Sequence, residues 1–273
     1  VDMAAFLKRM GRSPKAYDSH SRHRAALRSI LVSNRDSLED QFASWDTDKS
    51  GSISVEEMVN GLRSWGGLEE KMASEDARRI VEELSTSGGE LGLRDIFEFM
   101  GQPFDEHVQM RVRNTLLSVE AKKAPLDEVF KGWNTSNSGT LSLVELQRGL
   151  RDTRTILFSH IGRTEVQRLL DAIRVAGEAA GCVSSVEEGS GVRMTHLIAF
   201  VGKDPNKYMA AKLKRIILHA EQRSSVSIEE LFREWDKDGS GGISPEELME
   251  GLQQIGVFER LQPDEVRPLL QSL

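Results

Sequence analysis

The sequence predicts an all-α chain of helix–loop–helix units in tandem, and three observations carry that prediction. Trp45, Trp133 and Trp235 recur in one frame, each preceded by apolar residues seven and three positions earlier: Leu38 and Phe42, Leu126 and Phe130, Ile228 and Phe232. That spacing lines one face of a helix. Each tryptophan is followed by a polar, glycine-containing loop of twelve residues that ends in Glu57, Glu145 or Glu247. A second helical run follows each glutamate and carries a matching Gly-Leu pair, Gly61-Leu62, Gly149-Leu150 and Gly251-Leu252. Self-similarity at this period has to be read before any single element, because it fixes the organisation of the whole chain.

Taken in order, residues 1–37 read as the tail of a preceding degenerate unit and a basic helical connector. Residues 38–101 form a first pair, with a competent loop followed by a degenerate one, and 102–125 a helical connector. Residues 126–202 form a second pair with both loops degenerate, 203–227 another connector, and 228–273 a fifth, competent unit plus the first helix of a sixth. The second motif of each pair is weaker: Leu91 to Gly101 aligns without gaps on Val192 to Gly202, and Val1 to Gly11 falls on the same frame. Both ends therefore read as interrupting a repeat, as expected for part of a larger polypeptide. The connectors show apolar residues at helical spacing, Val108, Val112, Leu116 and Val119 in one and Met209, Leu213, Ile216, Ile217 and Ala220 in the other. Pro14, Pro103 and Pro205 sit where a helix begins, a position at which a missing amide costs little. The glycines and serines of 177–191 mark an insertion, read as a surface loop.

The chemistry lies in the loops. Asp46, Asp48 and Ser50 offer side-chain oxygens at loop positions 1, 3 and 5, Ser52 its carbonyl at position 7, and Glu57 a carboxylate at position 12, with Gly51 at the turn. A hard dication such as calcium takes six to eight oxygens at about 2.3–2.6 Å, which alternate positions of one short loop can supply. Asp236, Asp238, Ser240, the Gly242 carbonyl and Glu247 repeat the scheme around Gly241. Ser54 and Ser244, at position 9, are placed to act through a water. Ile53 and Ile243 turn inward at position 8. The loop 134–145 keeps Gly139, Leu141 and Glu145 but has lost both aspartates, and one carboxylate is a poor match for a dication that must shed its water. In the even-numbered motifs the last loop position falls on Asp95 and His196, and short strand contacts of Ile53 with Leu91 and Leu141 with Val192 are expected.

These loops and their flanking helices resemble the EF-hand family of calcium-binding helix-loop-helix proteins. The resemblance implies Ca2+ as the bound ion, hands that pair to bury their apolar faces, and Glu56 and Glu246 pointing away from the ion. Both competent loops depart from the commonest pattern by having serine at position 5. The tryptophans lie about 88 and 102 residues apart. That is wider than in compact six-hand calcium buffers, and closer to the extended multi-EF-hand proteins of ciliary and cytoskeletal assemblies.

Composition narrows the function classes. The chain has 273 residues, 38% hydrophobic and 29% charged, and no apolar run approaches the length of a spanning helix. Its net charge of -7 disfavours nucleic acid as a partner, although the first 37 residues are basic. A single cysteine, Cys182, points to a reducing intracellular compartment. The six scattered histidines and the absence of a phosphate-binding glycine loop leave no catalytic constellation, so no enzyme activity is expected. His20 and His23, amid Arg22 and Arg24, belong to a solvated basic face, and 203–223 forms another; both are candidate contacts for acidic protein surfaces or anionic lipid, with ordinary solvated helix as the competing reading. The expectation is a calcium-binding structural or scaffold component in the cytoplasm, in a ciliary or cytoskeletal complex. The alternative is a calcium sensor that exposes an apolar groove to a target helix.

Overall fold

A computed structural model describes residues 8–10, 14–65, 73–85, 89–121, 125–153, 155–182, 191–224, 227–259 and 263–270. The motif tail at 1–7, Thr86-Ser87-Gly88 of the second loop and most of the 177–191 insertion lie outside these residues. The described chain is almost entirely helical, and its strands are two-residue pieces inside the loops. It divides into two compact units, Val1–Val112 with Leu150–Val166, and Arg113–Gly149 with Gln167–Leu273.

In the first unit, helix Leu38–Trp45 leads into the loop and helix Val55–Ser64 leads out of it, with Ser74–Leu84 and Leu93–Met100 forming the second hand. The two hands meet through their loops. Ile53 pairs with Leu91 and Ser54 with Glu90 in an antiparallel bridge, the contact expected from the inward-turned position 8. Both Ile53 and Leu91 are fully buried. Helix Pro14–Ser33 packs on Ser74–Leu84 and on Leu93–Met100, placing Leu27, Ile30 and Leu31 in the core. The short helix Ile156–His160 packs on Leu38–Trp45, with Leu157 and Phe158 fully buried.

In the second unit, helices Leu126–Trp133 and Met194–Phe200 pack together, and Leu141 bridges Val192 as expected. Helix Met194–Phe200 packs on the connector Pro205–Ser224, which also meets Pro263–Leu270. The fifth hand, Ile228–Trp235 and Pro245–Gln254, packs on itself and, through its second helix, on Pro263–Leu270. The connector stripes face inward: Val108, Val112 and Leu116 of helix Phe104–Ala121, and Met209, Leu213 and Ile216 of Pro205–Ser224, are buried.

One contact recurs in every odd-numbered hand. The tryptophan before each loop seats its indole on a glycine sixteen residues later: Trp45 on Gly61, Trp133 on Gly149, Trp235 on Gly251. A Cβ at any of these glycines would fall inside the ring's van der Waals envelope. Only a residue without a side chain lets the entering and leaving helices of a hand approach this closely.

Candidate metal centre

The loops are shaped by backbone geometry before any ion is considered. Gly51, Gly139 and Gly241 take φ of 88°, 79° and 80°, the left-handed region that only glycine enters at little cost. This turn at position 6 folds the first half of each loop back on itself. Asp46 then accepts from the amides of Ser50 and Gly51 at 2.9 and 3.0 Å, and Asp236 accepts from Ser240 and Gly241 at 3.0 and 2.9 Å.

The result is two acidic clusters. Carboxylate oxygens of Asp46, Asp48 and Glu57 lie within 4.8 Å of one another, and so do those of Asp236, Asp238 and Glu247. Ser50 Oγ stands 3.5 Å from Asp46 Oδ1 and donates to the Ser52 carbonyl at 3.0 Å; Ser240 Oγ does the same toward the Gly242 carbonyl at 3.1 Å. The six carboxylates expected from the sequence thus come together in their own loops, three in each. The loop at 134–145 forms no such cluster among the described residues. There the hydroxyls of Ser136 and Ser138 donate to Asn134 Oδ1 at 3.2 and 3.4 Å. The residues at positions 1 and 3 are neutral, so Glu145 is the loop's one carboxylate, a poor match for a dication.

Glutamate at position 12 closes each loop. Glu57 accepts from the amides of Ser54 and Thr47, both at 2.9 Å, and Glu247 from Ser244 and Lys237, again both at 2.9 Å. Ser54 and Ser244, at position 9, cap the leaving helix, each hydroxyl accepting from the glutamate amide in a capping box. Such a box contributes about 0.5–2 kcal/mol. The same frame holds in the degenerate loops, where Gly92 donates to Asp95 and Arg193 to His196 Nδ1. The twelfth residue therefore keeps its structural bond even where it is no longer a glutamate.

Two neighbours escaped the sequence reading. His160 Nε2 lies 3.5 Å from Asp46 Oδ2 and its ring meets Phe42 edge-on at 5.3 Å. Glu90, across the strand bridge, accepts from the Ser52 hydroxyl. Helix Ile156–His160 has five residues, too few to show a hydrophobic period, so nothing in the sequence announces its place beside the loop.

The basic faces are partly paired within their own units. Glu83 takes Arg24 and His20, Asp76 takes His23, and Arg28 donates to the Met100 carbonyl. In the second connector Lys203 pairs with Glu120 and Lys212 with Asp127. Part of each basic face is thus paired inside its own unit, because acids distant in sequence are brought opposite it, while Lys214 and Arg215 stay exposed. Glu56, expected to point away from the ion, pairs with Arg78, which lowers its pKa.

Burial raises the pKa of Glu57, but bonds from the hydroxyl and amide of Thr47 and Ser54 outweigh it and bring the carboxyl from 4.5 to about 2. Glu145 is lowered to about 2 against the same opposition from burial, by the amides and hydroxyls of Ser136 and Ser142. A depressed folded pKa means stability that is complete above the ordinary value and withdrawn as pH falls through the folded one. NMR titration of the side-chain carboxyls in chelator should therefore find both groups ionising near 2; ionisation near 4.5 would show that these loop-closing bonds do not form.

Residues 37–66 match the EF-hand domain family, and residues 227–255 match the EF hand domain family. These two segments are EF-hands. Their loops hold the acidic clusters suited to calcium. The chain is similar to calcium-dependent protein kinase 34 of Arabidopsis thaliana, 31% identical over 150 residues that cover 55% of this chain and 23% of the kinase. Calcium-dependent protein kinase 33 of Arabidopsis thaliana is 28% identical over 180 residues, 60% of this chain and 29% of the kinase. Calcium-dependent protein kinase 3 of Oryza sativa subsp. japonica is 27% identical over 138 residues, 50% and 19%. The chain thus spans about a quarter of the length of these relatives. Among the described residues no helix is long and apolar enough to cross a membrane.

Proposed function

We propose that this chain is a calcium sensor with two loaded hands, which acts by binding a protein partner rather than by catalysis. Asp46, Asp48, Ser50, the Ser52 carbonyl and Glu57 would hold one ion, and Asp236, Asp238, Ser240, the Gly242 carbonyl and Glu247 the other. When bound, calcium would supply a compact double positive charge to these carboxylates, whose bonds to backbone amides hold each loop in shape. The observation that carries the reading is the double engagement of Glu57 and Glu247, each bonded at once to the start of its loop and to the cap of its leaving helix. Any cation that draws such a carboxylate onto itself alters the cap of that helix, so occupancy is mechanically linked to helix position.

The sensor reading is also favoured by relatives whose names make their activity calcium-dependent. The scaffold reading keeps one supporting observation, the hydrogen-bonded, self-satisfied loop at 134–145; nothing ties the chain to a cilium or to the cytoskeleton. An intracellular setting belongs to the same proposal. Titration calorimetry with calcium tests it. Two sites are expected, one abolished by Glu57→Gln and the other by Glu247→Gln, and a calcium-dependent change in helix exposure followed by hydrogen exchange. A single site, or none, rejects the ligand assignment; two sites with no change in exchange reject the sensor.

A further inference from the structure

The three odd-numbered hands begin with helices that align residue for residue, Leu38–Trp45, Leu126–Trp133 and Ile228–Trp235, yet the third is dressed differently. In the first, Glu39 is buried at the second position and accepts from His107 Nε2 at 2.7 Å and Arg111 Nη2 at 2.8 Å. In the second, Asp127 at the same position accepts from Tyr208 Oη at 3.2 Å and pairs with Lys212 Nζ at 2.9 Å. The donors come four residues apart on the connector helix that follows each pair, a neutral or weakly basic ring first and a cation second. Phe42 and Phe130, three positions beyond these acids, are 0% and 7% exposed.

In the third hand Glu229 is exposed and has no hydrogen bond or ion pair among the described residues, and Ile228 is half-buried. Phe232 is 48% exposed, while Trp235 on the same helix is 2% exposed. The helix is therefore seated in its hand, and what it lacks is a cover on one face. An exposed phenylalanine beside an unpaired carboxylate is a poor surface for solvent and a good one for a complementary helix.

We propose that Ile228, Glu229 and Phe232 form a docking surface for an amphipathic helix with the chemistry of the two connectors: an apolar stripe and, beside it, an aromatic or imidazole donor followed four residues later by lysine or arginine. Charge complementarity specifies the occupant. The unpaired Glu229 asks for a donor and a cation, and twice in this chain the equivalent carboxylate receives them. This surface lies outside both loops and needs neither to be loaded.

A fluorescein-labelled synthetic peptide of residues 203–224 is the probe, titrated with the full chain and read by anisotropy. Saturable one-to-one binding is expected, weakened about tenfold or more by Phe232→Ser, by Glu229→Lys, and by replacing the peptide lysine equivalent to Lys212 with alanine. Glu229→Lys alters an exposed side chain, so the test survives if Phe232→Ser fails to fold. No saturable binding, or binding that both chain variants leave unchanged because the peptide displaces its own copy, overturns the proposal. Concentration-dependent dimerisation of the chain that Phe232→Ser abolishes, without peptide binding, also overturns it and makes a second copy the occupant.

Discussion

Asp127→Ala is expected to destabilise the second unit by about 3–5 kcal/mol, because it removes the carboxylate that faces a lysine with almost no access to water. The side chain of Lys212 is 4% exposed and that of Asp127 12%, with their charges 2.9 Å apart. Burial works against the Asp127 carboxylate, yet the hydrogen bond and charge of Lys212, together with the Tyr208 hydroxyl, hold its pKa below the ordinary 3.8. The stability it lends is complete above that value and is withdrawn as pH falls through the lower folded one. The phenol of Tyr208, buried and facing the same negative charge, is pushed up to about 12. At roughly 2–4 °C per kcal/mol for a domain of this size, the substitution should lower the melting temperature by about 6–20 °C. The double variant Asp127→Leu, Lys212→Met should recover part of that loss, since it removes the buried cation together with its carboxylate. A single variant as stable as the parent would mean that the Lys212 charge is satisfied without Asp127.

Gly61→Ala is expected to destabilise and Gly132→Ala to stabilise, although both lie within helices. Alanine is ordinarily preferred over glycine inside a helix by about 0.5–1 kcal/mol. Gly132 has open space where a Cβ would stand, so it should show that gain. At Gly61 the new methyl group meets the Trp45 indole, and overpacking of that kind costs about 1–3 kcal/mol. Thermal melts with Trp fluorescence separate the two: opposite signs are expected, with a change in emission only for Gly61→Ala. Equal gains at both sites would show that the tryptophan does not depend on that glycine. Because Trp45 immediately precedes Asp46, the Gly61→Ala protein should also bind calcium more weakly at the first loop.

What the sequence made legible was local. Leu38, Phe42 and Trp45 announce their helix by spacing alone, and the alternating oxygens of Asp46, Asp48 and Ser50 announce the loop. The bridges Ile53 to Leu91 and Leu141 to Val192 followed from the repeat frame. What stayed hidden depends on residues far apart in the chain. Glu39 reads as one surface acid on an amphipathic helix until His107 and Arg111, some 70 residues later, close over it. Arg24 and Arg28 read as a solvated basic face because Glu83 and the Met100 carbonyl have no periodic relation to them. The glycines at 61, 149 and 251 were visible as a repeated pair with leucine, but that each lies under a tryptophan is a fact of helix crossing, which no one-dimensional pattern encodes.

The first unit draws its final pieces, Leu157, Phe158 and Ile161, from a segment that is synthesised about 50 residues after Val112. At about 5–20 residues per second, Phe42 would wait several seconds on the ribosome with one flank bare. During that interval the nascent hand is open to chaperones or to premature pairing with a neighbouring chain. The order of translation, and not only the final packing, sets when this lobe can close.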